Sequence, residues 1–191
     1  MRFATLFLAA LSLTFAAPAA AQSPPDPAPR MAAQRAAMDR LSFLDGSWRG
    51  SAWMLGRDGG RTLTQTERAG PFLNGTVRVV EGRGYEADGT TGFNALGVIS
   101  YNPDTQSYSF SAWAQGHGGV FPFRLTDTGF VWETPAGPGA VIRYTATVRD
   151  GSWHEVGERI AQGQPPLRII ELNLRRVGDT AWPAGDPVPM R

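Results

Sequence analysis

The sequence contains no cysteine and no lysine, and only two histidines, His117 and His154. Without cysteine there are no disulfides, no thiol catalysis, no iron–sulfur cluster and no lipoprotein anchor. Two imidazoles are too few for a metal centre built on several of them, so no metal site is expected. Arginine supplies all 18 basic residues, set against 17 acidic ones. Arg2 falls in a segment with the pattern of a leader, and without it the two signs balance. A chain of zero net charge has no electrostatic footprint for nucleic acid or for an anionic membrane surface.

Met1 to Ala21 has the three parts of a secretory signal: Arg2 as the positive start, an apolar stretch from Phe3 to Phe15, and Ala19-Ala20-Ala21 as small closing residues. This predicts cleavage before Gln22 and an exported protein, periplasmic or secreted in a bacterium. The apolar stretch is short of the roughly 20 residues that cross a bilayer, and no other segment is long and apolar enough to span. Residues 22–30 (QSPPDPAPR) read as a stiff proline-rich linker. Residues 31–45 read as a short helix and a lead-in segment, with Met31, Arg35, Met38 and Leu41 near one face, suited to plugging one end of a domain. Residues 179–191 read as a proline-rich tail that Trp182 can pin to the surface.

Between these ends, residues 46–178 show short β-rich runs broken by turn signals, the pattern of a sandwich or barrel. Ten strands are predicted, over 47–55, 62–69, 73–83, 91–101, 106–114, 118–125, 129–134, 139–149, 152–161 and 166–177. Turn chemistry joins them: Asp58-Gly59-Gly60, Asp88-Gly89, Asn102-Pro103-Asp104, Asp127-Thr128-Gly129, Asp150-Gly151 and Gly163-Gln164-Pro165. Asp-Gly between alternating runs is a strong hairpin signal, because such turns need positive φ. No helical run of ten or more residues separates the strands, which excludes parallel βαβ units. Sequential hairpins therefore predict an all-β, up-and-down antiparallel barrel of about ten strands with a short N-terminal helix, closed because closure removes the two open edges. Ile142, Tyr144, Ala146 and Val148 share one face of the eighth strand, and Ile170, Leu172 and Leu174 one face of the tenth. In the third, Leu73, Val77 and Val79 share a face that continues into Glu81 and Arg83. Parity alone does not say which set points inward.

Leu44-Asp45-Gly46-Ser47-Trp48-Arg49-Gly50 carries Gly-x-Trp at the start of the first strand, and this resembles lipocalins and related barrels. In those families a basic residue of the last strand packs over the tryptophan. The resemblance implies that role for Arg175 or Arg176, with Gly46 and Trp48 as structural residues. LSFLDGSWRG, TQTERAGPFLNG, GVISYNPDTQSYSF and ELNLRRV, across residues 41–178, also look like a bacterial secreted family known as domain of unknown function 1579. Its Gly-Tyr-Asp-Pro-like turn reads Ser100-Tyr101-Asn102-Pro103 here. That resemblance implies a lipocalin-like (calycin-type) barrel and transfers no activity. The first strand is also similar to the Gly-x-Trp-x-Gly-x-Gly of nitrobindin-type haem barrels, with Ala52 in the last place. Residues 155–191 contain no histidine to match the haem ligand those proteins carry near the last strand.

No nucleophile elbow or phosphate loop is present, so no catalytic residue is assigned. His117, in Gln115-Gly116-His117-Gly118-Gly119, is expected in a flexible connection where it either meets a ligand or faces solvent. His154 is expected to be structural or solvent-facing. Glu67, Glu81, Glu133, Glu155, Glu158 and Glu171 occupy strands. Two of them meeting inside would suit acid–base chemistry; facing outward they pair with arginines such as Arg143.

The aromatic residues carry the most information. Trp113, Phe121, Phe123, Trp132 and Tyr144 fall in four consecutive strands and are expected to form an apolar wall with hydroxyl and indole handles. Ten strands enclose more space than the eight or so that side chains can fill. Burying roughly 350 Å² of apolar ligand surface gains about 9 kcal/mol. Association costs at least about 4 kcal/mol, so useful affinity needs a polar anchor. The expected ligand-binding set is therefore Trp113, His117, Phe121, Phe123, Trp132 and Tyr144, with Arg143 and Glu155 as anchors. The expected partner is a small hydrophobic or amphipathic molecule, held without a cofactor. The alternatives are an enzyme that uses buried carboxylates or haem within the barrel, and a module that binds another envelope protein.

Overall fold

A computed structural model describes residues 26–180 and Trp182. Helix α1 (Ala28–Asp39) and a 3₁₀ turn (Ser42–Leu44) precede ten strands: β1 Gly46–Gly56, β2 Gly59–Phe72, β3 Val77–Tyr85, β4 Thr91–Asn102, β5 Ser107–Ala114, β6 His117–Thr126, β7 Gly129–Pro135, β8 Ala140–Arg149, β9 Ser152–Ala161 and β10 Leu167–Gly178. Each strand pairs antiparallel with its chain neighbours, and β1 closes on β10 to complete a barrel. The expected signal segment lies outside the described residues. So do residues 22–25 of the expected linker and, apart from Trp182, the tail beyond Thr180.

Two turns show why the hairpins form. Asp150 and Gly151 take φ of 51° and 67°, and Gln115 and Gly116 take 49° and 79°. Two consecutive positive φ values make the tight turn whose twist matches the flanking strands. At Gln115-Gly116 the expected connection is a tight two-residue turn, and β6 begins at His117, one residue before the expected start, with Gly118 opposite Trp113 leaving room for its indole. β3 also departs from expectation. It begins at Val77, because Leu73, Asn74 and Gly75 all take positive φ and form a turn of their own. The Asn-Gly turn chemistry prevails over the apolar character of Leu73, which is left exposed. The helix starts three residues before the expected position. Pro29 is tolerated in its first turn, and Asp26 Oδ1 accepts the Ala28 N–H at 2.9 Å.

The Gly-x-Trp-x-Gly segment has a spatial cause. A Cβ on Gly50 would fall 2.0 Å from the Asn173 carbonyl oxygen, so only glycine lets β10 approach β1 there. Gly46 has φ of 137°, and a Cβ there would fall 2.6 Å from Arg176 Nε.

One end of the barrel is closed. Met38, Leu41 and Leu44 are buried against Trp48, Ile99, Phe123, Phe130 and Trp153, so the helix and the 3₁₀ turn plug that end as the helix face predicts. Polar contacts lock the plug. The Trp48 indole N–H donates to the Leu44 carbonyl at 2.9 Å, and the Tyr108 hydroxyl to the Ala37 carbonyl at 2.9 Å. The buried Arg78 guanidinium donates to both Asp45 oxygens, at 2.7 and 2.8 Å, and to the Met38 carbonyl.

Candidate functional site

Above the plug the bore is open. A cavity of about 760 Å³ runs from Leu44, Trp153 and Ile99 to a mouth ringed by Met54, Phe93, His117, Pro135 and Ile169. That volume lies within the roughly 300–1,000 Å³ range of small-molecule sites. The space comes from a contrast in side-chain size. On the inner faces of β3, β4 and β5 stand Gly82, Ala95, Gly97, Ala112 and Ala114. From β5 round to β9 stand Phe110, Phe121, Phe123, Phe130, Trp132, Tyr144 and Trp153.

These rings form one connected wall, since cross-strand partners on a common face must meet. Trp132 and Tyr144 are directly opposite on β7 and β8 and stack with centroids 3.9 Å apart. Phe110 meets Trp132 edge-on at 4.8 Å, Phe123 stacks on Phe130 at 5.1 Å, and Phe130 meets Trp153 edge-on at 5.9 Å.

Two carboxyl groups are buried within this apolar bore, Glu67 on β2 and Glu155 on β9. Glu155 is held by two indoles: Trp132 Nε1 donates to Oε1 at 3.1 Å and Trp153 Nε1 to Oε2 at 3.0 Å. Its pKa is raised, chiefly by burial, against the lowering effect of those two donors. Glu67 Oε1 accepts the Gln65 side-chain N–H at 2.7 Å. Burial, reinforced by the negative charge of Glu155, pushes the Glu67 pKa up to about 8. At neutral pH Glu67 is therefore mainly a neutral acid able to donate a hydrogen bond. Tyr144 is also pushed up, mainly by burial.

Of the expected ligand-binding residues, the fold brings Phe121, Phe123, Trp132, Tyr144 and Glu155 together inside the bore. Trp113 and His117 stand at its lip, between the cavity and a shallow hollow on the outer wall lined by Glu81, Arg83 and Asn94. Arg143 does not join them. It projects from the outer face of β8 and its Nε donates to Glu133 at 2.6 Å, because Ile142 and Tyr144 beside it take the inward positions. No arginine lines the cavity among the described residues.

His154 lies outside, 3.2 Å from Glu171. His117 is the one imidazole among the cavity-lining residues. The glutamates divide as their faces dictate. Glu81 pairs with Arg68 and Arg83, and Glu171 with Arg168, all on the outer wall. Among the structural residues, Arg176 is the register partner of Trp48 and donates to the Asp45 carbonyl at 3.0 Å. Arg175 faces outward and bonds Ser152. Trp182 packs edge-on against Phe72 at 6.3 Å with the Arg68 guanidinium 3.9 Å from its ring.

Gln65 and Arg78 are buried polar residues that the sequence did not single out, whereas Glu67 and Glu155 are two of the six strand glutamates it did. Leu63 and Ala69 mark the inner face of β2, and the same parity carries Gln65 and Glu67 inward. That signal is present in the sequence, but the other face of the strand is polar as well. No family model matches this chain, and no curated protein shows significant similarity to it.

Proposed function

We propose that this protein is an exported, lipocalin-like carrier that binds a small apolar or amphipathic molecule without covalent attachment. In this reading residues 1–21 direct export, and the resemblance of residues 41–178 to secreted barrels supports a lipocalin-like role. The observation that carries the reading is the aromatic bore of about 760 Å³, closed by the helix at one end and open at the other. The wall from Phe110 to Trp153 supplies apolar contact, and the buried carboxyl groups supply orientation. Apolar contact gives a ligand affinity without direction. A few placed polar groups in an apolar pocket select one pose. The test is native mass spectrometry of protein purified from its own host, together with displacement of a hydrophobic fluorescent dye. Absence of added mass, combined with a dye that does not bind, would overturn the reading.

A second reading is favoured by one observation. Glu67 and Glu155 share the cavity, and a raised carboxyl pKa near a second carboxyl group is the arrangement that general acid–base catalysis uses. It predicts that Glu67→Gln abolishes turnover of whichever bound molecule is first identified. A bound molecule recovered chemically unchanged after long incubation excludes it.

A further inference from the structure

The polar lining of the cavity is one-sided. It offers the carboxyl groups of Glu67 and Glu155, the amide of Gln65 and the hydroxyls of Tyr144 and Thr134; among the described residues no arginine lines it, and its one imidazole, His117, stands at the lip. The arginine nearest in type to an interior cation is Arg78. It is spent at the closed end on Asp45 and the Met38 carbonyl. A ligand with an anionic head group therefore meets two carboxyl groups and no guanidinium among the lining residues.

Glu67 is also unfinished as a hydrogen-bonding group. Oε1 is occupied by Gln65 at 2.7 Å, and among the described residues no donor reaches Oε2. The opposite residue on β3 is Gly82, and a Cβ there would stand 2.7 Å from Oε1 and 2.8 Å from Oε2. The missing side chain gives the carboxyl group its place against the wall. Glu155 differs, since each of its oxygens already holds an indole N–H. A buried carboxyl oxygen with an open position, in a cavity that no described arginine lines and that aromatic faces wall, complements a positively charged group.

We propose that the ligand is an organic cation, a protonated amine or quaternary ammonium group on an apolar body, with its head group beside Glu67 and Glu155 and its body against the Phe110–Trp132–Tyr144 wall. This rests on the carrier reading above and narrows it to a ligand class. An incoming cation restores the ionised form of Glu67 and offsets the repulsion from Glu155. A fatty acid adds a third carboxyl group: a protonated Glu67 can donate one hydrogen bond to it, but no guanidinium among the lining residues supplies a counter-charge, and burying a carboxylate without one is costly. An alcohol can share a hydrogen bond but gains no charge pairing.

The experiment uses the mature protein and the neutral dye N-phenyl-1-naphthylamine, displaced at pH 7.5 by four ligands of equal chain length below their micelle concentrations: dodecylamine, dodecyltrimethylammonium, dodecanol and dodecanoic acid. Both cations are expected to displace the dye at concentrations lower than dodecanol by about tenfold or more, which is about 1.4 kcal/mol. Dodecanoic acid is expected to be the weakest. Glu67→Gln, checked for folding by circular dichroism, is expected to bring the cations level with dodecanol measured on the same variant. Dodecanoic acid equal to or tighter than the cations overturns the inference and leaves the carrier reading standing. So does a cation preference that survives Glu67→Gln. A dye that fails to bind the wild-type protein overturns both.

Discussion

Trp132 and Tyr144 lie face to face in the bore, their ring centroids 3.9 Å apart and their planes 9° from parallel. The same Trp132 indole donates to Glu155 at 3.1 Å, so one side chain couples the aromatic wall to a buried carboxyl group. Trp132→Phe keeps a ring in the stack but removes the donor from a buried acceptor. The expected loss is about 1–3 kcal/mol of stability, read from urea unfolding. Tyr144→Phe keeps both the stack and the donor and should cost less. Equal losses from the two substitutions would mean that the indole–carboxyl bond contributes nothing.

Glu67 gives the protein an unusual response to pH. Its ordinary value is 4.5 and burial pushes it to about 8. The folded protein keeps a proton that the unfolded chain releases, so the group's contribution is full below about pH 4.5 and is lost as pH rises through 8. Integrated over that window, the effect is of order 5 kcal/mol at most. Glu155 is raised as well and acts with the same sign. Glu81 and Glu171 are lowered, chiefly by their hydrogen-bond partners once the opposing effect of burial on Glu81 is overcome. They act with the opposite sign, only under acid conditions, and screening by solvent keeps them small. The urea midpoint should therefore fall between pH 5 and pH 9, and Glu67→Gln should flatten the decline. A wild-type midpoint that rises across that interval contradicts a buried protonated acid.

The closed end depends on Arg78. Its guanidinium ties β3 to Asp45 and to the last turn of the helix, from a position that is 3 % exposed. Arg78→Met leaves Asp45 and the Met38 carbonyl without their donors. The expected cost is about 3 kcal/mol or more. Asp45→Asn in the same chain should recover part of it, because the uncompensated charge is then gone. A double variant no more stable than Arg78→Met alone would refute the charge argument.

The cavity exists because inner positions on β3 to β5 are small. Ala112 lies opposite Gly97 and Gly119 on neighbouring strands and lines the bore. Ala112→Trp places an indole in that space. Dye affinity should fall by about tenfold or more, while the thermal midpoint stays level or rises as empty space is filled. Unchanged dye affinity would place the bound dye outside the bore, at the outer hollow near Trp113.

The ten strands, their order and most of their ends were legible in the sequence, because turn residues and two-residue alternation are local properties. The misjudged stretches were local contests. At Leu73-Asn74-Gly75 turn chemistry competed with an apolar residue, and at His117 the strand begins one residue earlier than the glycines on either side of it suggest. Most of the aromatic wall was legible because residues on neighbouring strands must meet, but Trp113, expected in it, lies between the inward-facing Ala112 and Ala114 and is left half exposed at the lip. The polar anchors were only half legible. Arg143 and Glu155 were equal candidates by type, and the inward face chose Glu155.

By itself, then, the sequence determined an all-β meander, its hairpins, its helical plug and the aromatic character of one wall, since each follows from spacing along the chain. Only the tertiary structure decided that the bore stays hollow, and that Glu67 and Glu155 are both buried in it with no arginine lining it among the described residues. Those outcomes depend on which face of each strand turns inward and on how side chains far apart in the chain fill, or fail to fill, a common space.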